Sequence, residues 1–339
     1  MVRGYIISGF IAVALLTVAM IFVDLSAEIT QRAFTISSQC ESFIHIPTLG
    51  RIHISREILG AGAFSLVLTG RAMDIEPRMD VAVKIGISDH AGIDADTKIL
   101  TALNGTANFP NYFGTTTVRC NRGEQTHTYP ALVMELLGDS VDIFARKVEL
   151  KSGAYRVRKA LEIGRGVLDG VERLHRDFGI IMHDIYARNI VLSRDSDVSV
   201  PRLIDFGESL NFQTDGARDY KTLNRLYTSI REDRNEPLGP RDDLERIVYL
   251  MVHVVLGGEM PWASDDGDWV VYRKASMNPK IVCNILPKEI AQILVYARSG
   301  IENATSLPDY NFVRKLIDTA LLGLDDKLTL TITDLTNIV

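Results

Sequence analysis

The distribution of apolar and polar positions changes character three times along the 339 residues. From Tyr5 to Val23 almost every position is apolar or small and no polar face recurs. That run is close to the roughly twenty residues a helix needs to cross a bilayer. Arg3 precedes it, and Asp24 and Glu28 follow. From Ile52 the pattern breaks into short apolar runs of strand length, around Ile52 to Thr69, Asp80 to Ile85, Phe113 to Val118 and Ala131 to Leu136, with one helix expected near Asp94 to Leu103. From Val141 onward helical spacing dominates. Ile247, Leu250, Met251, Val254 and Val255 mark its most apolar helix, which Glu245, Arg246 and His253 identify as core and not a second span. The segmentation expected is a leader or anchor over 1–27, a connector over 28–50 punctuated by Pro47 and Gly50, a β-rich unit over 51–138 and a helical unit over 139–339.

The leader reads as an uncleaved signal anchor, because its apolar run exceeds the 7–15 residues of a secretory signal and Leu25-Ser26-Ala27 is only a partial cleavage match. Cleavage, giving a secreted chain, is the alternative. The positive-inside bias puts Arg3 in the cytosol and the rest in the lumen or outside. Cys40, Cys120 and Cys283 are an odd, sparse set that resembles no disulfide framework. Asn104-Gly105-Thr106 and Asn303-Ala304-Thr305 are glycosylation sequons that matter if the domain is lumenal. Net charge of −6 argues against a nucleic-acid partner, since phosphate backbones are bound by clustered cations. The short basic clusters, such as Arg156, Arg158 and Lys159, read as solvated charge, with a patch for acidic peptides as the sharper alternative.

Three polar residues carry the chemistry. In Met182-His183-Asp184-Ile185-Tyr186-Ala187-Arg188-Asn189, Asn189 stands five after Asp184, and Asp205 follows in Leu203-Ile204-Asp205-Phe206-Gly207. An acid to orient an acceptor hydroxyl and an Asn with an Asp to hold a divalent cation form a minimal set for phosphoryl transfer. His175-Arg176-Asp177-Phe178-Gly179 overlaps both strings, but Met182 stands five after Asp177 and cannot bind a metal. That stretch reads as a helix end stopped by Gly179.

Upstream, Ile58-Leu59-Gly60-Ala61-Gly62-Ala63-Phe64-Ser65-Leu66-Val67 reads as strand, glycine turn, strand. Small residues there let backbone amides approach phosphates, although a structural turn explains the string in isolation. Val81-Ala82-Val83-Lys84 follows at the distance of one further strand. The ordered series carries more weight than its members.

In that order the motifs resemble a eukaryotic protein kinase, from about Ile52 to the end. Val133-Met134-Glu135-Leu136-Leu137-Gly138-Asp139-Ser140, Arg241-Asp242-Asp243-Leu244-Glu245, Gly258-Glu259-Met260-Pro261-Trp262 and Tyr227-Thr228-Ser229-Ile230 resemble the casein kinase I branch in particular. The resemblance implies an α+β, bilobal fold with a β-rich N-lobe and a helical C-lobe, preceded here by the transmembrane helix. It implies ATP with Mg²⁺ or Mn²⁺ as cofactors and a protein substrate, Ser/Thr favoured. Carried over by position, Gly60, Ala61, Gly62, Phe64 and Val67 would cover the nucleotide and Ala82 and Met134 would line the adenine pocket. The backbone of Glu135 and Leu137 would bond adenine, and Lys84, supported by Asp96, would contact phosphate. Asp184 would be the catalytic base, Arg188 a compensating cation, Asn189 and Asp205 the metal ligands, and Asp243 a brace beneath the catalytic loop.

The departures from the family pattern leave other readings open. Ser65 replaces the third loop glycine, and no Glu occurs between Lys84 and Asn104, so Asp96, one methylene shorter, is the best-placed acid. Met182 and His183 replace His and Arg, and Tyr186 stands where Ser/Thr kinases place a lysine. These departures motivate a pseudokinase scaffold as the alternative to an active kinase. A small-molecule kinase is a third class, against which the linker and the Arg241 string speak.

Overall fold

The computed structural model describes residues 37–62, 64–88, 92–122, 124–194, 200–214, 225–263, 267–299 and 305–327. The apolar run Tyr5 to Val23 lies outside them. Among the described residues no helix is long and apolar enough to cross a membrane. The chain divides into two compact units. The first holds Tyr112–Leu136 with the described residues up to Thr97, and the second holds Lys98–Asn111 and the described residues from Leu137 on.

In the first unit six strands, β1 (Phe43–Ile46), β2 (Gly50–Ala61), β3 (Ser65–Ala72), β4 (Met79–Gly86), β5 (Tyr112–Arg122) and β6 (Gln125–Glu135), form one antiparallel sheet in the order β1-β2-β3-β4-β6-β5. Alternation along a strand sends successive side chains to opposite faces. Leu66, Leu68, Val81, Val83, Ile85 and Val133 therefore gather with Ile44, Ile46, Ile52 and Ile54 in a buried cluster on one face. Each fully buried aliphatic side chain contributes roughly 1.5–3 kcal/mol. Helix α1 (Ile93–Ala102) follows β4 in sequence, and its Asp96 meets the side chain of Lys84.

Two features of this unit escaped the hydropathy reading. β1 lies within the stretch read as a connector, and Ile44 and Ile46 are buried there. Cys40 and Cys120 form a disulfide across an antiparallel bridge, so the sparse cysteine set does contain a crosslink. Glu41 N donates to Arg119 O at 2.9 Å and Arg119 N to Glu41 Oε1 at 2.9 Å on the adjoining residues.

The second unit is mainly helical: α2 (Val141–Lys147), α3 (Gly153–Arg173), α4 (Ile230–Asp233), α5 (Pro240–Val255), α6 (Gly267–Ser276), α7 (Pro279–Val282), α8 (Lys288–Arg298) and α9 (Tyr310–Lys327). α5 packs against α3 and α8, and α9 against α3 and α8. Fifteen residues of α5 are buried, in keeping with its reading as core. α3 continues into a π-helical turn over Leu174–Phe178, which Gly179 ends with φ of 66°. Glycine adopts that left-handed conformation without the Cβ penalty. Two short two-stranded antiparallel ladders lie among the described residues of this unit: β7 (Ile180–Ile181) with β10 (Leu210–Asn211), and the hairpin of β8 (Ile190–Leu192) with β9 (Pro201–Leu203).

Candidate active site

Strand register in the first unit sorts the predicted nucleotide residues onto one face. Val67 is paired with Lys84 and Lys84 with Leu132, while Ala82 is paired with Met134. Directly paired residues share a face, as do residues two apart along a strand. Val67, Ala82, Lys84 and Met134 therefore lie together on the face opposite the aliphatic cluster. Gly60 and Ala61 pair with Val67 and Leu66 at the hairpin end, and Gly62 N donates to Ser65 O at 2.9 Å to close the turn. A Cβ built at Gly60 would meet nothing within 4 Å, so the space over that strand is open. Phe64 is half exposed beside the turn. Met134 is buried and Glu135 half-buried at the end of β6, while Leu137 belongs to the second unit.

Lys84 Nζ donates to Asp96 Oδ2 at 2.6 Å, and both side chains are buried. The shorter acid thus reaches the lysine directly, with no bridging water required.

In the second unit the β8–β9 ladder brings the two predicted metal ligands together. Ile190 pairs with Leu203, and Ile204 N donates to Asn189 O at 3.0 Å, so the ladder runs one step further than its named strands. Asn189 and Asp205 thereby stand at the same open end of the hairpin. Asp205 has φ of 63°, a left-handed conformation uncommon outside glycine, and Phe206 beside it is buried, 6.0 Å from the ring of Phe109. Strained backbone of this kind clusters at functional sites.

Asn189 Nδ2 donates to Asp184 Oδ2 at 2.6 Å and to Asp184 O at 3.2 Å. This fixes the amide and leaves its Oδ1 as an acceptor. The Asp184 carboxyl is pushed up to about 6, first by burial and then by the negative charge of Asp205. Two carboxylates close enough to oppose each other's ionisation, with an amide oxygen beside them, make a hard oxygen donor set suited to a divalent cation. No group of three or more His, Cys, Asp or Glu able to hold a metal occurs among the described residues, so such an ion would need further ligands from phosphate or water.

Beneath the loop, Asp243 accepts from Met182 N at 2.7 Å and His183 N at 3.2 Å, as expected of a brace. Burial alone would raise its pKa, but the bond from His175 (Nε2–Oδ2 3.0 Å) and the charge of Arg246 hold the carboxyl below its ordinary range. Arg246 spans from Asp243, at 3.1 Å, to Glu232, at 2.5 Å, and Glu232 also meets His183 Nε2 at 3.2 Å. His175, Arg246 and Glu232 were not foreseen as parts of the site. His175 sits in the stretch set aside as a helix end, and its partners Asp243 and Tyr310 lie 68 and 135 residues away.

Tyr186 points toward Tyr227, with ring centroids 5.6 Å apart. Burial, then the charge of Asp184, pushes its hydroxyl up to about 12, so it is neutral at physiological pH. Arg188 is exposed, and its charge acts on both tyrosines.

No family model matches the chain. Among known proteins it is similar to a probable serine/threonine-protein kinase of Dictyostelium discoideum, at 27% identity over 56% of this chain and 39% of that protein. It is also similar to a probable casein kinase I homolog of Encephalitozoon cuniculi, at 30% identity over 56% of this chain and 64% of the other. Casein kinase I homolog 3 of Schizosaccharomyces pombe matches at 27% over 60% of this chain and 48% of the relative. The chain thus spans between about two fifths and just under two thirds of the length of these relatives. Sheet-rich first unit, helical second unit, catalytic-loop geometry and these likenesses point to one class: the chain resembles members of the protein kinase superfamily. Within it, the branch that the chain resembles is casein kinase I.

Proposed function

We propose that the chain transfers the γ-phosphate of ATP to a protein hydroxyl, Ser or Thr, with a divalent cation held by Asn189 and Asp205. The observation that carries this reading is the convergence of Asp184, Asn189 and Asp205 at one hairpin end, with the Asp184 carboxyl at about 6. A base with that affinity is largely ionised at neutral pH yet basic enough to accept a proton from an attacking hydroxyl. Asn189 orients the carboxylate by donating to one of its oxygens. The cation, when bound, neutralises charge on the phosphates. In the first unit Lys84, held by Asp96, supplies a fixed cation for phosphate oxygens, and the Gly60-to-Gly62 turn supplies backbone donors. Arg188 supplies positive charge in the loop where Tyr186 supplies none.

A second reading, a nucleotide-binding scaffold, is favoured by Tyr186 alone. It places a neutral, half-buried phenol where a cation would stabilise the developing anion, and loss of such a charge costs rate heavily. Labelled ATP with Mg²⁺ or Mn²⁺ and a mixed peptide library separates the two. The kinase reading expects transfer to peptide that disappears in Asp184→Asn and in Asp205→Ala. Nucleotide binding without transfer in the wild-type chain would establish the scaffold instead.

A further inference from the structure

We infer that Asn104 is the acceptor of an N-linked glycan. The inference is independent of phosphoryl transfer. Asn104-Gly105-Thr106 has the acceptor pattern, with glycine and not proline in the middle. The structure places it in the turn directly after α1, where Asn104 and Gly105 are exposed. Gly105 has φ of 80°, and a Cβ built there would meet nothing within 4 Å. Thr106 N donates to Leu103 O at 3.0 Å and Thr106 Oγ1 to the same carbonyl at 2.7 Å, so the turn is held from its own backbone. Asn104 itself is exposed in this turn, so its side chain is reachable from solvent.

Two separate observations point to a compartment where such a modification occurs. Cys40 and Cys120 are joined, and disulfides persist in secreted and lumenal proteins while cytosolic thiols are kept reduced. The remaining cysteine, Cys283, is buried, and burial pushes its thiol up to about 12, so no reactive thiolate is left to reshuffle that crosslink. The apolar run Tyr5 to Val23 in the sequence supplies a route into that compartment. In the modification, the Asn104 side-chain nitrogen attacks the anomeric carbon of a lipid-pyrophosphate-linked oligosaccharide. A C–N bond forms, the C–O bond to pyrophosphate breaks, the amide loses one proton and the lipid pyrophosphate departs.

The test expresses the full chain in cultured animal cells as wild type, Asn104→Gln, Thr106→Ala and Thr106→Ser, with and without peptide N-glycosidase. Asn104→Gln and Thr106→Ala are expected to migrate one glycan step ahead of wild type before digestion and together with it afterwards. Thr106→Ser, which preserves the acceptor pattern, is expected to migrate with wild type throughout. Thiol labelling of the native chain is expected to reach Cys40 and Cys120 only after reduction. A wild-type chain insensitive to the glycosidase overturns the inference. So does an Asn104→Gln chain that keeps every glycan step, which would move the modification to Asn303, and so does ready labelling of Cys40 and Cys120 without reductant.

Discussion

Lys84 and Asp96 form a 2.6 Å ion pair in which neither side chain retains more than 5% of its exposure. A buried pair of this kind is weak evidence for net stability, because desolvation offsets much of the attraction, but breaking it leaves one charge stranded. Asp96→Leu alone is expected to destabilise the first unit by about 3–5 kcal/mol. Lys84→Met with Asp96→Leu should recover most of that loss while transfer stays abolished. Chemical denaturation of both variants checks this, and a double variant no more stable than the single one would show that the pair holds α1 by packing instead.

The Asp184 carboxyl gives a signed pH dependence. Its pKa is raised from 3.8 to about 6, so the folded chain keeps a proton that the unfolded chain has lost between those values. The stabilisation from this group is fully present below about pH 4 and lost as pH rises through 6, a loss of about 3 kcal/mol. Asp184→Asn should therefore melt higher than wild type at neutral pH while failing to transfer phosphate. Transfer by the wild-type chain should rise as pH passes through about 6. In Asp205→Asn the like charge is gone, and the Asp184 midpoint, followed by carboxyl NMR, should fall.

Arg246 ties together two buried acids, Glu232 and Asp243. Arg246→Met is expected to cost about 3–5 kcal/mol, and Glu232→Gln less, because the arginine retains Asp243. Calorimetric melts of both variants rank them. Equal costs would mean that Glu232 carries as much of the network as the arginine.

The crosslink between Cys40 and Cys120 closes a separation of 80 residues. Cys40→Ser should lower stability by about 2–4 kcal/mol. Reductant should lower the melting temperature of the wild-type chain and leave that of the variant unchanged.

Much of this architecture is legible in the sequence wherever local pattern and partner spacing coincide. The run read as a strand at Asp80 to Ile85 falls within β4, Ala131 to Leu136 overruns the end of β6 by one residue, and Asp94 to Leu103 differs from α1 by one residue at each end. β1 was missed because Phe43-Ile44-His45-Ile46 offers only a four-residue alternation, and its burial depends on pairing with β2. Asp243 could be expected beneath the loop from its motif. His175 could not, because what makes it part of the brace is a pair of partners brought from distant helices. The direct reach of Asp96 to Lys84 depends on where α1 lies against β4, which residue spacing does not specify.

The ladder of β8 and β9 also sets which changes in chain length this hairpin can absorb. Its side-chain alternation has a period of two, so adding or deleting one residue between Asn189 and Leu192, or between Pro201 and Asp205, would turn Asn189 or Asp205 to the other side. Residues 193–200, which join the strands, stand outside that measure. Length variation among related chains should therefore accumulate in the connection and be absent from the two short strands, even where their individual side chains differ.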